Sequence, residues 1–102
     1  MVSNWKKATS IPLEVKEAVL ARDFGLCVFC GRKGLPEAHY IPRAKGGKGV
    51  EQNILTVCRD CHRRLDGVDR KRMLATAKTY LKSCYRNWSE DDLVYSKWRN
   101  EE

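Results

Sequence analysis

Two short segments, Cys27-Val-Phe-Cys30 and Cys58-Arg-Asp-Cys61-His62, decide how this chain is built. A CxxC spacing lets two thiolates leave one tight turn toward a single ion, and two such knuckles complete a tetrahedral zinc shell. Cys27, Cys30, Cys58 and Cys61 are therefore the expected ligands of a structural Zn2+. With sulfur at all four positions the ion has no opening for water or substrate, so it holds the fold and does no chemistry. The 27 residues between the knuckles exceed the span of a simple ribbon finger, and further structure must be inserted there. A lone CxxC can be a redox dithiol, but this chain has two and lacks a thioredoxin-like βαβ pattern.

Composition suits a small, stapled domain. The chain has 102 residues, 42% hydrophobic and 32% charged, with five Cys and two His. A core of this size gains from a metal staple. Aromatic residues are too frequent for a disordered tail, and no apolar run approaches the roughly 20 residues that span a bilayer. Met1 to Ser10 contains Lys6 and Lys7, but Glu14, Lys16 and Glu17 break up what would have to be an apolar signal region. These features predict a single domain over 1–102, with no membrane partner, in an intracellular setting where thiols stay reduced. Charge points to a partner: the net charge is +7, and Arg59 to Arg86 holds nine basic residues against three acidic ones. Such a run is either a solvated helix face or a phosphate-binding surface.

Around the knuckles three zones separate. Residues 11–24 read as an N-terminal helix, with Ser10 as its cap, Pro12 in its opening turn and an apolar stripe at Val15, Ala18, Val19 and Leu20. Residues 27–66 contain Ala38 to Ile41 and Ile54 to Val57, short apolar runs joined by a loop with Gly46, Gly47 and Gly49, then a helix opening near Arg59. Residues 67–102 form a basic helical extension. Met73, Ala77, Leu81, Cys84 and Trp88 recur at helical spacing, with Cys84 read as a buried small hydrophobe. After a break at Trp88, Ser89 is placed to cap a second helix holding Leu93, Val94, Tyr95 and Trp98. The aromatics are expected to fill the core.

Both histidines fall in the middle block, in Glu37-Ala38-His39-Tyr40-Ile41-Pro42-Arg43 and Cys61-His62-Arg63-Arg64-Leu65-Asp66, with Asn53-Ile54-Leu55-Thr56-Val57 between them. This order of CxxC, His before Pro, Gly-Gly loop, Asn before apolar residues and CxxCH resembles the HNH endonuclease family, the zinc-knuckle branch of the ββα-metal nucleases. The likeness covers Cys27 to Asp66 and the Arg-Asp-Phe-Gly-Leu lead into the first knuckle. It implies an α+β fold: a small zinc-stapled, treble-clef-like ββα-metal unit with an N-terminal helix and a C-terminal helical extension. It also implies a metal-dependent DNA endonuclease or nickase acting on double-stranded DNA by a one-metal mechanism. Small size and a basic helical tail look most like phage-encoded members, some of which work near the packaging terminase.

Carried across by residue, the resemblance makes His39 the general base, Asn53 the residue that braces the loop and orients that base, and His62 a ligand of the catalytic ion. Asp66, one helical turn from His62, matches a further ligand position in some members. Mg2+ or Mn2+ is the expected ion, with Ni2+ also open. Arg43, Lys45 and Lys48 on the loop and Arg59, Arg63 and Arg64 on the following helix are the expected DNA contacts. Ala38 departs from the pattern, because the residue before the base is commonly a His or Asp that ligates the ion. Asp66, or Glu37 two residues from His39 on the same strand face, would have to replace it. Two other readings use the same residues: a zinc-dependent nucleic-acid-binding module with impaired catalysis, and a protein-interaction finger with His39 in the zinc shell. Whether the chain is a monomer or a homodimer is not encoded in these motifs.

Overall fold

An antiparallel pair of short strands carries the middle of the chain, and helices pack around it. The computed structural model describes residues 4–95. They form, in order, α1 (Asn4–Thr9), α2 (Leu13–Asp23), β1 (Leu35–His39), β2 (Ile54–Val57), α3 (Arg59–Leu65) and α4 (Arg70–Cys84), with 3-10 turns at Arg43–Lys45, Glu51–Asn53 and Glu90–Leu93. The α+β class is as the sequence predicts: a two-stranded sheet and following helix, flanked by helices on either side. No helix among the described residues is long and apolar enough to cross a membrane.

β2 is buried at all four residues. The core gathers Ala38 from β1, Leu55 and Val57 from β2, Cys61 and Leu65 from α3, and Met73, Ala77 and Leu81 from α4. The spacing of the last three places them on one face of α4, as the periodicity predicts. Cys84, next on that stripe, is only half-buried, because α4 ends there and Tyr85 is extended. Trp88 lies beyond the helix, packs edge-on against Tyr40 and donates its Nε1–H to the Gln52 carbonyl at 2.9 Å.

Four local readings need correction. The N-terminal helix begins at Leu13, not Ile11, with Pro12 as its N-cap. Ser10 does not cap it; its hydroxyl turns back to the Lys6 carbonyl at 2.6 Å and closes α1, a helix the sequence did not reveal. Of the expected stripe on α2 only Val19 is fully buried, because the other buried residue of α2 is the polar Asp23. The tail after Trp88 forms no second α-helix. Ser89 caps a 3-10 turn, accepting from the Asp91 N–H at 3.3 Å, and the chain then extends. Backbone partners on the glycine loop win there: Lys48 N–H donates to the Leu93 carbonyl at 2.8 Å and Tyr95 N–H to the Gly46 carbonyl at 2.7 Å. Gly46 permits this approach, since a Cβ there would sit 2.7 Å from the Tyr95 carbonyl oxygen. Trp98 lies outside the described residues.

A buried polar cluster ties α2 to the sheet and to α4. The Arg22 guanidinium forms a two-pronged pair with its neighbour Asp23 at 2.7 and 2.9 Å and donates to the Glu51 and Ile54 carbonyls, each at 2.8 Å. It lies against the rings of Tyr80 and Tyr85 and donates to the Tyr85 hydroxyl, which in turn donates to Glu51. The Asp23 carboxylate also accepts from the Tyr80 hydroxyl and from the Thr56 N–H. Burial pushes this carboxyl up, but the hydrogen bonds from Arg22 and Tyr80, Arg22's charge and the Thr56 N–H outweigh it and hold it below its ordinary 3.8.

Removing one partner strands a buried charge, so Arg22→Ala should cost about 3–5 kcal/mol in denaturant unfolding. The Asp23 contribution is complete above the unfolded-state value of 3.8 and is lost as pH falls below it. Stability of the parent should therefore decline through that acid range more steeply than that of Arg22→Ala. Equal acid slopes in the two proteins would remove the cluster from this role.

Candidate functional site

The two knuckles converge at one end of the sheet. The Sγ atoms of Cys27, Cys30, Cys58 and Cys61 all lie within 4.8 Å of one another, and those of Cys30 and Cys58 are 3.6 Å apart. A tetrahedral ion with bonds of about 2.3 Å sets its sulfurs roughly 3.8 Å apart, so the four cysteines are positioned to bind a metal such as zinc. The donor chemistry agrees. Four thiolates this close repel one another, and a divalent cation is the counter-charge under which all four ionise. Backbone N–H groups support that state: Phe29 donates to Cys27 Sγ and Cys61 to Cys58 Sγ, each at 3.4 Å. Burial pushes the Cys27 thiol up, but the N–H groups of Cys58, Cys30 and Phe29 bring it down to about 7.

His39 and His62 meet elsewhere, around a cavity of about 430 Å³ between β1, α3 and the start of α2. Glu37, Asp66, Lys16, Arg43 and Arg70 line it with them. A second cavity of about 630 Å³ continues from it along α3, sharing Glu37, His62 and Asp66 and adding Lys33, Leu35, Val57, Arg59 and Arg63. The pair makes a groove with acidic and imidazole groups at its centre and basic groups along both halves. His39 is half-buried and its Nε2 lies 2.8 Å from the Thr9 carbonyl oxygen. A carbonyl only accepts, so Nε2 carries the proton and Nδ1 keeps its lone pair. Burial lowers the His39 pKa; the Thr9 carbonyl works against this, and the charges of Arg43 and His62 add to it.

Asn53 is fully buried and satisfied. Its side-chain oxygen accepts from the Ile41 N–H at 2.8 Å, and its amide donates to the carbonyls of Ile41 at 3.2 Å and Lys48 at 2.9 Å. Its own carbonyl accepts from the Tyr40 N–H at 2.7 Å. One side chain thus fastens both ends of the loop that leaves β1 after His39.

The strand register explains Ala38. β1 pairs Pro36 with Thr56 and Ala38 with Leu55, and the register shifts between Pro36 and Ala38, leaving Glu37 as an extra residue. Ala38 faces the core and is fully buried, whereas Glu37 is exposed and borders both cavities. In this register a longer side chain at 38 would point away from the groove. Among the described residues the four cysteines are the one set of three or more metal-binding side chains whose donor atoms converge. His62, Glu37 and Asp66 share a cavity without closing into a cage.

The basic residues divide. Arg43 lines the smaller cavity and Arg59 and Arg63 the larger. Arg64 pairs with Asp69 at 3.1 Å. Lys48 borders a separate cavity with Tyr85 and Trp88, and Lys45 is exposed on the Arg43–Lys45 turn. Lys16, Lys33 and Arg70 enter the groove although sequence reasoning did not single them out. Lys16 and Arg70 belong to helices flanking the motif, where only chain geometry brings them near His39.

Comparison with known proteins adds one finding. Residues 27–73 match the family described as HNH endonuclease. No curated protein matches the chain.

A chain stapled through four thiolates should carry one zinc per molecule by elemental analysis. Chelation, or Cys58→Ser, should abolish the cooperative thermal transition seen by circular dichroism, since the free energy of binding a structural metal is folding free energy. A melting temperature unchanged after complete removal of metal would exclude the staple.

Proposed function

We propose that this chain, whose residues 27–73 match the HNH endonuclease family, is a metal-dependent nuclease that nicks or cuts double-stranded DNA in the groove between β1 and α3. One observation carries the reading: His39 and His62 line the same cavity, with carboxylates beside them and Lys16, Arg43 and Arg70 around them.

In this reading His39 is the general base. Its Nδ1 accepts a proton from water, the water oxygen forms a bond to phosphorus and the bond to the 3′ oxygen breaks. The departing oxygen takes a proton from solvent, which leaves 5′-phosphate and 3′-hydroxyl ends. His62 and Asp66, with Glu37 in place of the ligand that position 38 cannot supply, would hold the divalent ion. When bound, Mg2+ or Mn2+ supplies positive charge to the phosphate and the leaving oxygen. Asn53 is a positioning residue, acting through the loop that its amide fastens. Arg43, Lys16 and Arg70 on one half of the groove and Lys33, Arg59 and Arg63 on the other bind phosphates on either side of the scissile bond. Contacts of this kind give affinity and orientation without reading bases.

Supercoiled plasmid incubated with the zinc-loaded protein should convert to open circle or linear form with Mg2+ or Mn2+ and not with chelated divalent ions. His39→Ala should slow conversion by about 10²–10⁴-fold while leaving DNA retention in a gel unchanged. Full-rate cleavage by that variant would take His39 out of the role of base. DNA binding without conversion under any metal would leave the zinc-stapled binding module as the function.

A further inference from the structure

The hydrogen bond to His39 comes from outside the matched segment. Thr9 is the last residue of α1, and its carbonyl lies 18 residues before the first knuckle. Four further contacts fix that carbonyl in place. The Gly49 N–H donates to the Ala8 carbonyl at 3.0 Å. Arg43 reaches the Thr9 hydroxyl with Nε at 3.2 Å and the Ser10 hydroxyl with Nη2 at 3.4 Å. Trp5 packs edge-on against Tyr95, with ring centroids 6.2 Å apart. Gly49 allows this closeness, because a Cβ there would lie 1.8 Å from the Ser10 carbonyl oxygen. Thr9 itself is completely buried.

We infer that α1 is a working part of the catalytic site: the Thr9 carbonyl holds the proton of neutral His39 on Nε2 and turns Nδ1 toward the groove. The inference rests on the nuclease reading for its consequence, and its physical content stands without it. A neutral imidazole in water exchanges freely between two tautomers, and only the one with a bare Nδ1 can take a proton from water on the groove side. Asn53 fastens the loop on one side of His39, and α1 locks the ring from the other. Thr9 is a positioning residue, because its carbonyl touches the base and not the substrate.

The test uses the full-length, zinc-loaded protein labelled with 15N. The chain has two histidines, so His62→Ala assigns the His39 ring in long-range proton–nitrogen spectra recorded above its titration range. The parent should show a protonated Nε2 and an imine-type Nδ1. Thr9→Pro removes the N–H at the last turn of α1 and clashes with the Trp5 carbonyl, displacing the carbonyl of residue 9. It should give a mixed tautomer signal and lower kcat on supercoiled plasmid by about tenfold or more, with KM for DNA within about twofold. Should Thr9→Pro fail to fold, Trp5→Ala loosens α1 from its other end and should move both readouts the same way. A parent ring protonated on Nδ1 overturns the inference. So does a displaced α1 that leaves tautomer and kcat unchanged, or a loss confined to KM. A parent with the expected tautomer, lost in the variant, that never cleaves DNA would keep the positioning inference and remove the nuclease reading.

Discussion

The placement of the groove depends on one buried ion pair. Arg22 and Asp23 are neighbours at the end of α2, yet between them they bind backbone from Glu51, Ile54 and Thr56 and the rings of Tyr80 and Tyr85. Those groups belong to the turn before β2, to β2 itself and to α4 and its exit. A hydrophobic contact tolerates sliding, because dispersion has little direction. A guanidinium with fixed N–H vectors does not, and it sets the height of α2 on the sheet. Through α2 it also sets where Lys16 and the chain leading back to Thr9 sit relative to His39.

The metal knuckles and the core helix were legible in the sequence, because their signals are local spacings. Two CxxC turns and the recurrence of Met73, Ala77 and Leu81 need no knowledge of the rest of the chain. Other features were illegible for a shared reason. α1 has six residues and too little apolar surface to announce itself, and it exists through its docking on Gly49 and Arg43. The extended tail after Leu93 replaces a plausible helix because the glycine loop offers it backbone partners. The stripe on α2 misled because what that helix buries most deeply includes a charge. In each case a long-range polar contact overrode a local pattern.

Position 38 shows how far residue types can carry an argument about chemistry. Read as a string, Ala38 stands where a ligand is missing. In the folded chain side chains alternate along β1, so Glu37 lies outward on the side of His39 and Ala38 is sealed in the core beside Leu55. Position along an alternating strand, and not the wish for a ligand at 38, decides which side chain reaches the groove. Similarly, the basic run of α3 and α4 was visible as a charge excess, but its members divide among the groove, ion pairs with Asp60, Asp69 and Glu90, and open solvent.

The edge-on contact between Trp5 and Tyr95 sets side chains from the two extremities of the described residues against each other. A unit that chain enters and leaves at nearly the same point asks little of whatever flanks it. It can be seated within a surface loop of another protein without stretching that loop, and its ends can be joined by a short linker and reopened elsewhere.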